Sequence, residues 1–486
     1  MNIWETISSL AKEILGDTQV KKVNLSEVSR DVNRPKGITR HLGTKIDKGE
    51  IDISDIEVLP EYEFILKAVQ EACPAIFVTG RAGTGKSTLI RFLTSKIKKS
   101  AVVAPTAIAA INVGGSTIHS FFGIPPRTIN PDEAFSPRKH IIPVIENLDV
   151  LIVDEVSMVS PDIVDCISNS LKKSKRSDTP FGGIPIILVG DILQLPPVVT
   201  DRDVGVYYTH RYDSPYFYSA EIFKNIDIMP IELTKVFRQK DDEFIAALDH
   251  IRTNHEHRDS VALFNRKCYR DKEDVGLDTL CLVPTNAVAK SINENRLDEL
   301  PSEIVAFDAI YGGGLNAGKT KFPAPDRLNI KKCARIIFVK NNHPSWLNGT
   351  IGEVLSIETD SIRVKLVETG NIVSVSRETW KKYKYKYNYE EKRIESEVIG
   401  TFTQFPISLG WAITIHKSQG MTIEALQIDL GRGAFCFGQT YVALSRCRTI
   451  GGITLAKPIS MGDVKADITV IEFYKKLGFL KNGNRA

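Results

Sequence analysis

The chain has 486 residues, of which 42% are hydrophobic and 25% charged, with a formal net charge of +4. That is ordinary globular composition, and a chain of this length divides into roughly two to four domains. No stretch approaches the ~18 apolar residues of a membrane-spanning helix. The seven cysteines are scattered and form no C-x-x-C pair, which speaks against a zinc site or a disulfide framework and for a reducing compartment.

The first segment, MNIWETISSLAKEILGDTQV, has no basic stretch followed by an apolar run, so the expectation is a cytoplasmic protein with no secretory signal. Ile3, Trp4, Ile7, Leu10, Ala11, Ile14 and Leu15 share one helical face. Two readings stand for this helix: packing on the body of the protein, or binding a partner. Residues 21–58 are polar and weakly periodic, and 1–58 as a whole reads as an N-terminal extension.

From Leu59 onward short apolar runs alternate with helix-compatible stretches. Ala75–Thr79, Ala101–Ala104, Val150–Val153 and Ile184–Val189 form a first set of strands. Leu280–Val283, Ile336–Val339, Leu426–Leu430 and Ile453–Ala456 form a second. Apolar strands separated by helices imply parallel sheets covered on both faces, hence two α/β domains in series. Between the strands of the second set, residues 335–399 alternate strongly around Ile351–Leu366 and carry an Asn348-Gly349 turn. They read as an inserted antiparallel β-barrel.

The first strand ends in Gly80-Arg81-Ala82-Gly83-Thr84-Gly85-Lys86-Ser87, and Thr88 continues into a helical run. This is a phosphate-binding loop in its required strand-to-helix context. Its glycines let amides curl around phosphate oxygens, and the following helix points its positive end at the anion. Lys86 is placed to reach the β- and γ-phosphates and Ser87 to ligate Mg²⁺, so ATP and Mg²⁺ are the expected cofactors. Val153 is followed by Asp154 and Glu155. Asp154 suits the metal shell, and Glu155 suits the orientation or activation of water. Gln194, after the next strand, either contacts the γ-phosphate or belongs to a proline-rich loop capped by Asp191. Arg238 and Arg446 are candidate cations for the transition state, each also readable alone as a surface arginine.

Lys381–Tyr389 interleaves basic and aromatic residues. Its tyrosines either pack the barrel while the lysines guard an edge, or the segment touches DNA. Gly123–His140 is proline-rich and irregular, and a long loop in a compact domain is often functional.

The stretches GRAGTGKST (80–88), VVAPTAIAAINVGGSTIHSFF (102–122), LIVDEVSMV (151–159), ILVGDILQLPPV (187–198), ELTKVFRQ (232–239), WAITIHKSQGMT (411–422) and YVALSR (441–446) together resemble the superfamily 1 helicases of the Pif-one/RecD branch, Pif-one-like helicases most closely. The matches fall in family order across about residues 60–456. The resemblance implies an α/β fold with two RecA-like parallel-sheet domains, over 59–230 and over 231–340 plus 400–486. It implies a small strand-separating wedge insertion at about 123–140 and an SH3-like insertion at 341–399.

It further implies ATP-dependent 5′-to-3′ movement on single-stranded DNA, with 5′-tailed or forked duplex as substrate and a monomer as the working form. Gly80, Ala82, Gly83, Thr84, Gly85, Lys86, Ser87, Thr88, Gln194, Arg238, Gly420 and Arg446 would hold the nucleotide. Lys86, Glu155, Gln194, Arg238 and Arg446 would serve catalysis, and Ser87 and Asp154 the metal. Pro105, Thr106, His119, Ser120, Phe121, His416, Lys417 and Ser418 would meet DNA, with Gln419 near both ligands. Phe121 would stack on a base of any sequence.

One departure concerns the glutamine that reads adenine upstream of the phosphate loop. Glu61, Tyr62 and Glu63 stand near its place, and Gln70 is too close to the strand, so strict preference for ATP is not implied. A RecD-like subunit of a larger complex, and a nucleotide-dependent remodeller that never unwinds DNA, are the competing readings.

Overall fold

A computed structural model describes residues 3–15, 57–125, 137–197, 208, 211–270, 279–313, 322–340, 342, 345–346, 348–367, 369–388 and 393–480. Of the wedge segment 123–140, residues 126–136 lie outside these, as do 16–56 of the N-terminal extension. Among the described residues no helix is long and apolar enough to cross a membrane, and no disulfide joins the cysteines.

The first domain is built on six parallel strands: β1 (Ala75–Gly80), β2 (Ser100–Ala104), β3 (Ser116–Thr117), β4 (Val150–Val153), β5 (Ile186–Val189) and β6 (Met229–Leu233), in the order β3-β2-β4-β5-β1-β6. Alternate residues of each central strand enter opposite cores. Phe77, Leu151, Val153 and Leu188 join one core, whereas Ile76, Val78, Ile152 and Ile187 join the other. A two-sided apolar sheet needs continuous hydrophobic strands, which is what these short runs supply. Strand β6 continues to Leu233, so the first sheet extends past residue 230, where the sequence reading closes this domain.

Helix Ile3–Leu15 buries Ile7 and Ala11 in the same core as helix Pro60–Gln70, which favours packing over partner binding for its apolar face.

The second domain has a four-stranded parallel sheet ordered Ala412–Thr414, Leu280–Val283, Leu426–Ile428, Ile453–Leu455. The expected strand Ile336–Val339 is not in it, and Ala412–Thr414 takes that place. Arg335–Phe338 instead pairs antiparallel with Ile351–Ile357 and Ile407–Leu409. The run is apolar throughout because its two faces meet different cores: Ile337 faces the parallel sheet, Ile336 and Phe338 the inserted unit. Periodicity cannot separate such a strand from a parallel one.

The inserted sheet has five antiparallel strands spanning 335–409, beyond the 341–399 of the sequence reading. Gly349, at φ +96°, makes its expected turn, and its N–H donates to Phe338 O at 2.9 Å. A long hairpin, Glu378–Asn388 with Arg393–Gln404, forms a separate three-stranded antiparallel sheet with Ile310–Gly312, with a register shift between Lys382 and Tyr383. The side chains of 383–397 lie outside the described residues, so the tyrosine–lysine face is not placed.

The chain then returns. Helix Ile468–Leu477, read from sequence as part of the second domain, buries Val470, Phe473, Tyr474 and Leu477 in the core of the first.

Candidate functional site

The phosphate loop follows β1 and caps helix Lys86–Lys96. Gly83 and Gly85 adopt φ +82° and +90°, which only glycine takes without strain. Lys86 Nζ donates to Gly80 O (2.6 Å) and Arg81 O (2.9 Å), folded back on its own loop. Burial pulls its pKa down, against the opposing pull of Asp191 and Glu155.

Glu155 and Asp154 stand at the end of β4. Asp154 Oδ1 accepts from Glu155 N at 2.9 Å. Burial and the neighbouring Glu155 push the Asp154 carboxyl up to about 8. Burial likewise raises Glu155, against the pull of Lys86 and Arg446. Burial out of water disfavours both carboxyls as anions.

The second domain closes this loop from the other side. Phe237 N donates to Gly83 O at 2.9 Å, and a Cβ on Gly83 would lie 2.4 Å from that of Arg238. Arg238 Nη1 donates to Ser445 O (3.2 Å). Burial first, and the charge of Arg446 second, lower its pKa to about 9. Arg446, 1% exposed, donates Nε to Val442 O (2.8 Å) and Nη1 to Ser418 O (3.3 Å), so it braces the loop that carries Ser418. Gln419 Nε2 donates to Glu155 Oε2 (3.0 Å) and to Gln194 Oε1 (3.4 Å), joining the Asp-Glu strand to the Gln194 loop. The structure thus brings Lys86, Glu155, Gln194, Arg238 and Arg446 together although they are spread over some 360 positions of the chain.

A cleft of about 710 Å³ runs from this point. Ser87, Asp154, Glu155 and Gly420 line it beside Thr106, His416 and Lys417. Thr106 caps helix Ala107–Asn112, its hydroxyl accepting from Ala109 N at 3.2 Å. Pro105, His119 and Ser120 are half-buried and do not line this cleft. Two DNA expectations need correction. Phe121 is buried edge-on against Phe122 in the first core, with ring centroids 4.9 Å apart, so it presents no face to a base. Ser418 is fully buried, and its hydroxyl donates inward to Ile415 O at 2.8 Å. Ser418 in its turn and Phe121 in the short helix Ile118–Phe122 are both read as outward-facing while the fold turns them in.

Several residues were missed from sequence. Tyr62 occupies the region of the absent glutamine and donates its hydroxyl to Gly85 O at 2.9 Å, bracing the loop from behind. Phe237 is 43% exposed and lies within 4 Å of a Cβ on Gly85. Tyr441 reaches the opposite domain, where its hydroxyl oxygen accepts from Ala82 N at 3.0 Å. Phe435, 59% exposed, stands near-parallel to His416 with ring centroids 6.3 Å apart. A bulky aromatic directly before an arginine, as in Phe237-Arg238, was the one local signal available. The others depend on chain-distant contacts.

Residues 60–257 match the PIF1-like helicase family model. The chain is 30% identical over 446 residues to the ATP-dependent DNA helicase Pif1 of Bdellovibrio bacteriovorus, covering 90% of this chain and 95% of that one. The structure is similar to Bacteroides sp Pif1 in complex with ADP-AlF4, with a TM-score of 0.80 and 34% identity over 87% of this chain and 99% of that one. Against Bacteroides Pif1 bound to ssDNA the TM-score is 0.63, at 35% identity over 87% of this chain and 97% of that one. The glycine loop, the acid pair and the arginines gathered across two parallel-sheet domains therefore sit in a chain that belongs to the PIF1-like helicase family.

Proposed function

We propose that the chain is an ATP-dependent DNA helicase that moves 5′-to-3′ on a single strand and hydrolyses ATP between its two RecA-like domains. The observation that carries this reading is the meeting of Lys86, Arg238 and Arg446, from both domains, around a phosphate loop faced by Glu155. Cations confined in a buried site favour an anion whose charge grows in the transition state. Glu155, raised by burial, is suited to take a proton from water. Gln419, itself bonded to Gln194, holds its carboxylate in line. Phe237 offers a ring face to the base, which suits any nucleoside equally in the absence of a reading glutamine.

Ser87 and Asp154 line one wall of the cleft, and a hydroxyl beside a carboxylate is a donor set that fits a divalent cation. Mg²⁺ held there would neutralise charge on the β- and γ-phosphates. Thr106, His416 and Lys417 take the DNA strand, with Phe435 as a sequence-blind stacking face in place of Phe121. The protein acts as a monomer on 5′-tailed or forked duplex in a reducing, cytoplasmic setting. The segment 123–140 serves as the wedge.

The test is the steady-state ATPase rate with and without single-stranded DNA, beside Lys86→Ala and Glu155→Gln. Strong stimulation by DNA, lost in both variants, is expected, followed by unwinding of 5′-tailed duplex. Hydrolysis indifferent to DNA would sink the helicase reading.

A further inference from the structure

Behind Gln194 lies a buried ionic network to which none of the roles above gives a purpose. Asp191 follows β5 and is 1% exposed. Its carboxylate accepts from Arg252 Nη2 (2.8 Å to Oδ1) and Arg252 Nε (3.1 Å to Oδ2). It also accepts from Tyr474 Oη (3.3 Å), Gln194 Nε2 (3.3 Å) and Leu193 N (3.3 Å). Three separate parts of the chain meet there. Asp191 belongs to the first domain, Arg252 to helix Asp242–Thr253 of the second, and Tyr474 to the returning C-terminal helix. Tyr474 also shares a 2.5 Å hydrogen bond with Thr79 at the end of β1, and the Arg252 guanidinium lies 5.4 Å from its ring. On its far side Arg252 is 3.6 Å from Asp249, which holds Arg81 of the phosphate loop at 3.1 Å.

Burial alone would raise the Asp191 carboxyl. The Arg252 charge and its hydrogen bonds outweigh that and hold it below the ordinary value, so it stays ionised. An ionised carboxylate only accepts hydrogen bonds. It therefore fixes which end of the Gln194 amide faces it: the NH₂ turns to Asp191 and Oε1 turns to Gln419, the residue bonded to Glu155. A buried ion pair is a poor device for stability, since apolar residues of similar volume often serve as well. A role in orientation accounts for its charge.

We infer that Arg252 is a positioning residue for ATP hydrolysis: through Asp191 it sets the Gln194 amide, and through Gln194 and Gln419 the Glu155 carboxylate. This rests on the reading that Gln194 and Glu155 act on the γ-phosphate and its attacking water. It also gives the second domain a rigid grip on that chemistry, since helix Asp242–Thr253 holds both the Gln194 loop and, by Asp249, Arg81.

The experiment compares wild type, Arg252→Lys and the double variant Arg252→Met/Asp191→Leu in DNA-stimulated ATPase, reading kcat and KM separately, with affinity for a fluorescent ADP and melting temperature alongside. The double variant leaves no buried charge unpaired, so it is expected to melt near wild type and bind ADP near wild type. Its kcat is expected to fall about ten-fold or more with KM little changed, as supporting residues behind a reactive group commonly cost. A well-folded double variant with wild-type kcat makes the pair a brace and overturns the inference. Should the double variant not fold, Arg252→Lys decides: it keeps the charge but not the two-pronged grip, so reduced kcat at unchanged ADP affinity is expected and wild-type kcat refutes. Wild type without DNA-stimulated turnover would instead remove the helicase reading itself, and this inference with it.

Discussion

Gly83→Ala tests whether the second domain's arginine acts through its contact with the phosphate loop. Two effects follow from the structure. Gly83 sits at φ +82°, where an alanine costs about 1–2 kcal/mol. Its Cβ would fall 2.4 Å from Arg238 Cβ, whereas carbons rest about 3.5–4.0 Å apart, so one side must retreat by about 1 Å. The loop is anchored by Tyr62, Tyr441 and the return of Lys86, so the segment Phe237–Arg238 is the side that yields. Displacing a catalytic group by about 1 Å costs on the order of 100-fold in rate. The assay is DNA-stimulated kcat for wild type, Gly83→Ala, Arg238→Ala and the double variant. If alanine acts by displacing Arg238, the double variant is no slower than Arg238→Ala alone. Losses that multiply, as for independent sites, would show that the alanine damages the phosphate loop itself and refute the argument.

Tyr441→Phe leaves the Ala82 amide without its hydroxyl partner. An unpaired buried donor costs about 1–3 kcal/mol, so the nucleotide-free protein should melt lower, and ADP, whose phosphates replace the lost acceptor, should restore more stability than in wild type. Lys417→Ala removes an exposed cation from the cleft wall. Affinity for single-stranded DNA should fall for all sequences alike, and the slope of log affinity against log salt should shrink by about 0.7. An unchanged slope would place the strand elsewhere.

What the sequence made legible was local. The phosphate loop, the acid pair after β4 and the four central strands of the first sheet are each set by spacing within a few residues, so pattern and structure agree, whereas the edge strands β3 and β6 carry no such run. The errors lie where burial is decided by distant chain. Arg335–Phe338 looks like a parallel strand because both its faces are covered, one by each neighbouring core. Phe121 is read as a stacking platform, yet it lies in the short helix Ile118–Phe122, where a second aromatic and the first core enclose it. Asp191 reads as a loop cap, and indeed Leu193 N donates to it. Its main partner, Arg252, lies 61 positions away with nothing in the sequence to join them. Gathering of Gln194, Arg238 and Arg446 in one site was implied by family resemblance rather than by their own surroundings.

The returning helix Ile468–Leu477 bears on how the molecule is made. Thr79 of β1 and Tyr474 are partners across 395 positions, and Phe77 packs against Phe473 with ring centroids 6.1 Å apart. During synthesis the sheet of the first domain is complete at Leu233, yet one wall of its core follows only at Ile468–Leu477. At about 5–20 residues per second that wall is missing for tens of seconds. The apolar face awaiting Val470, Phe473 and Leu477 would stay open to other chains for that interval. The same closure brings the chain back to the first domain after the second, so the two are joined at two points, and removing helix Ile468–Leu477 would unseal the domain that binds nucleotide rather than the one that precedes it in the chain.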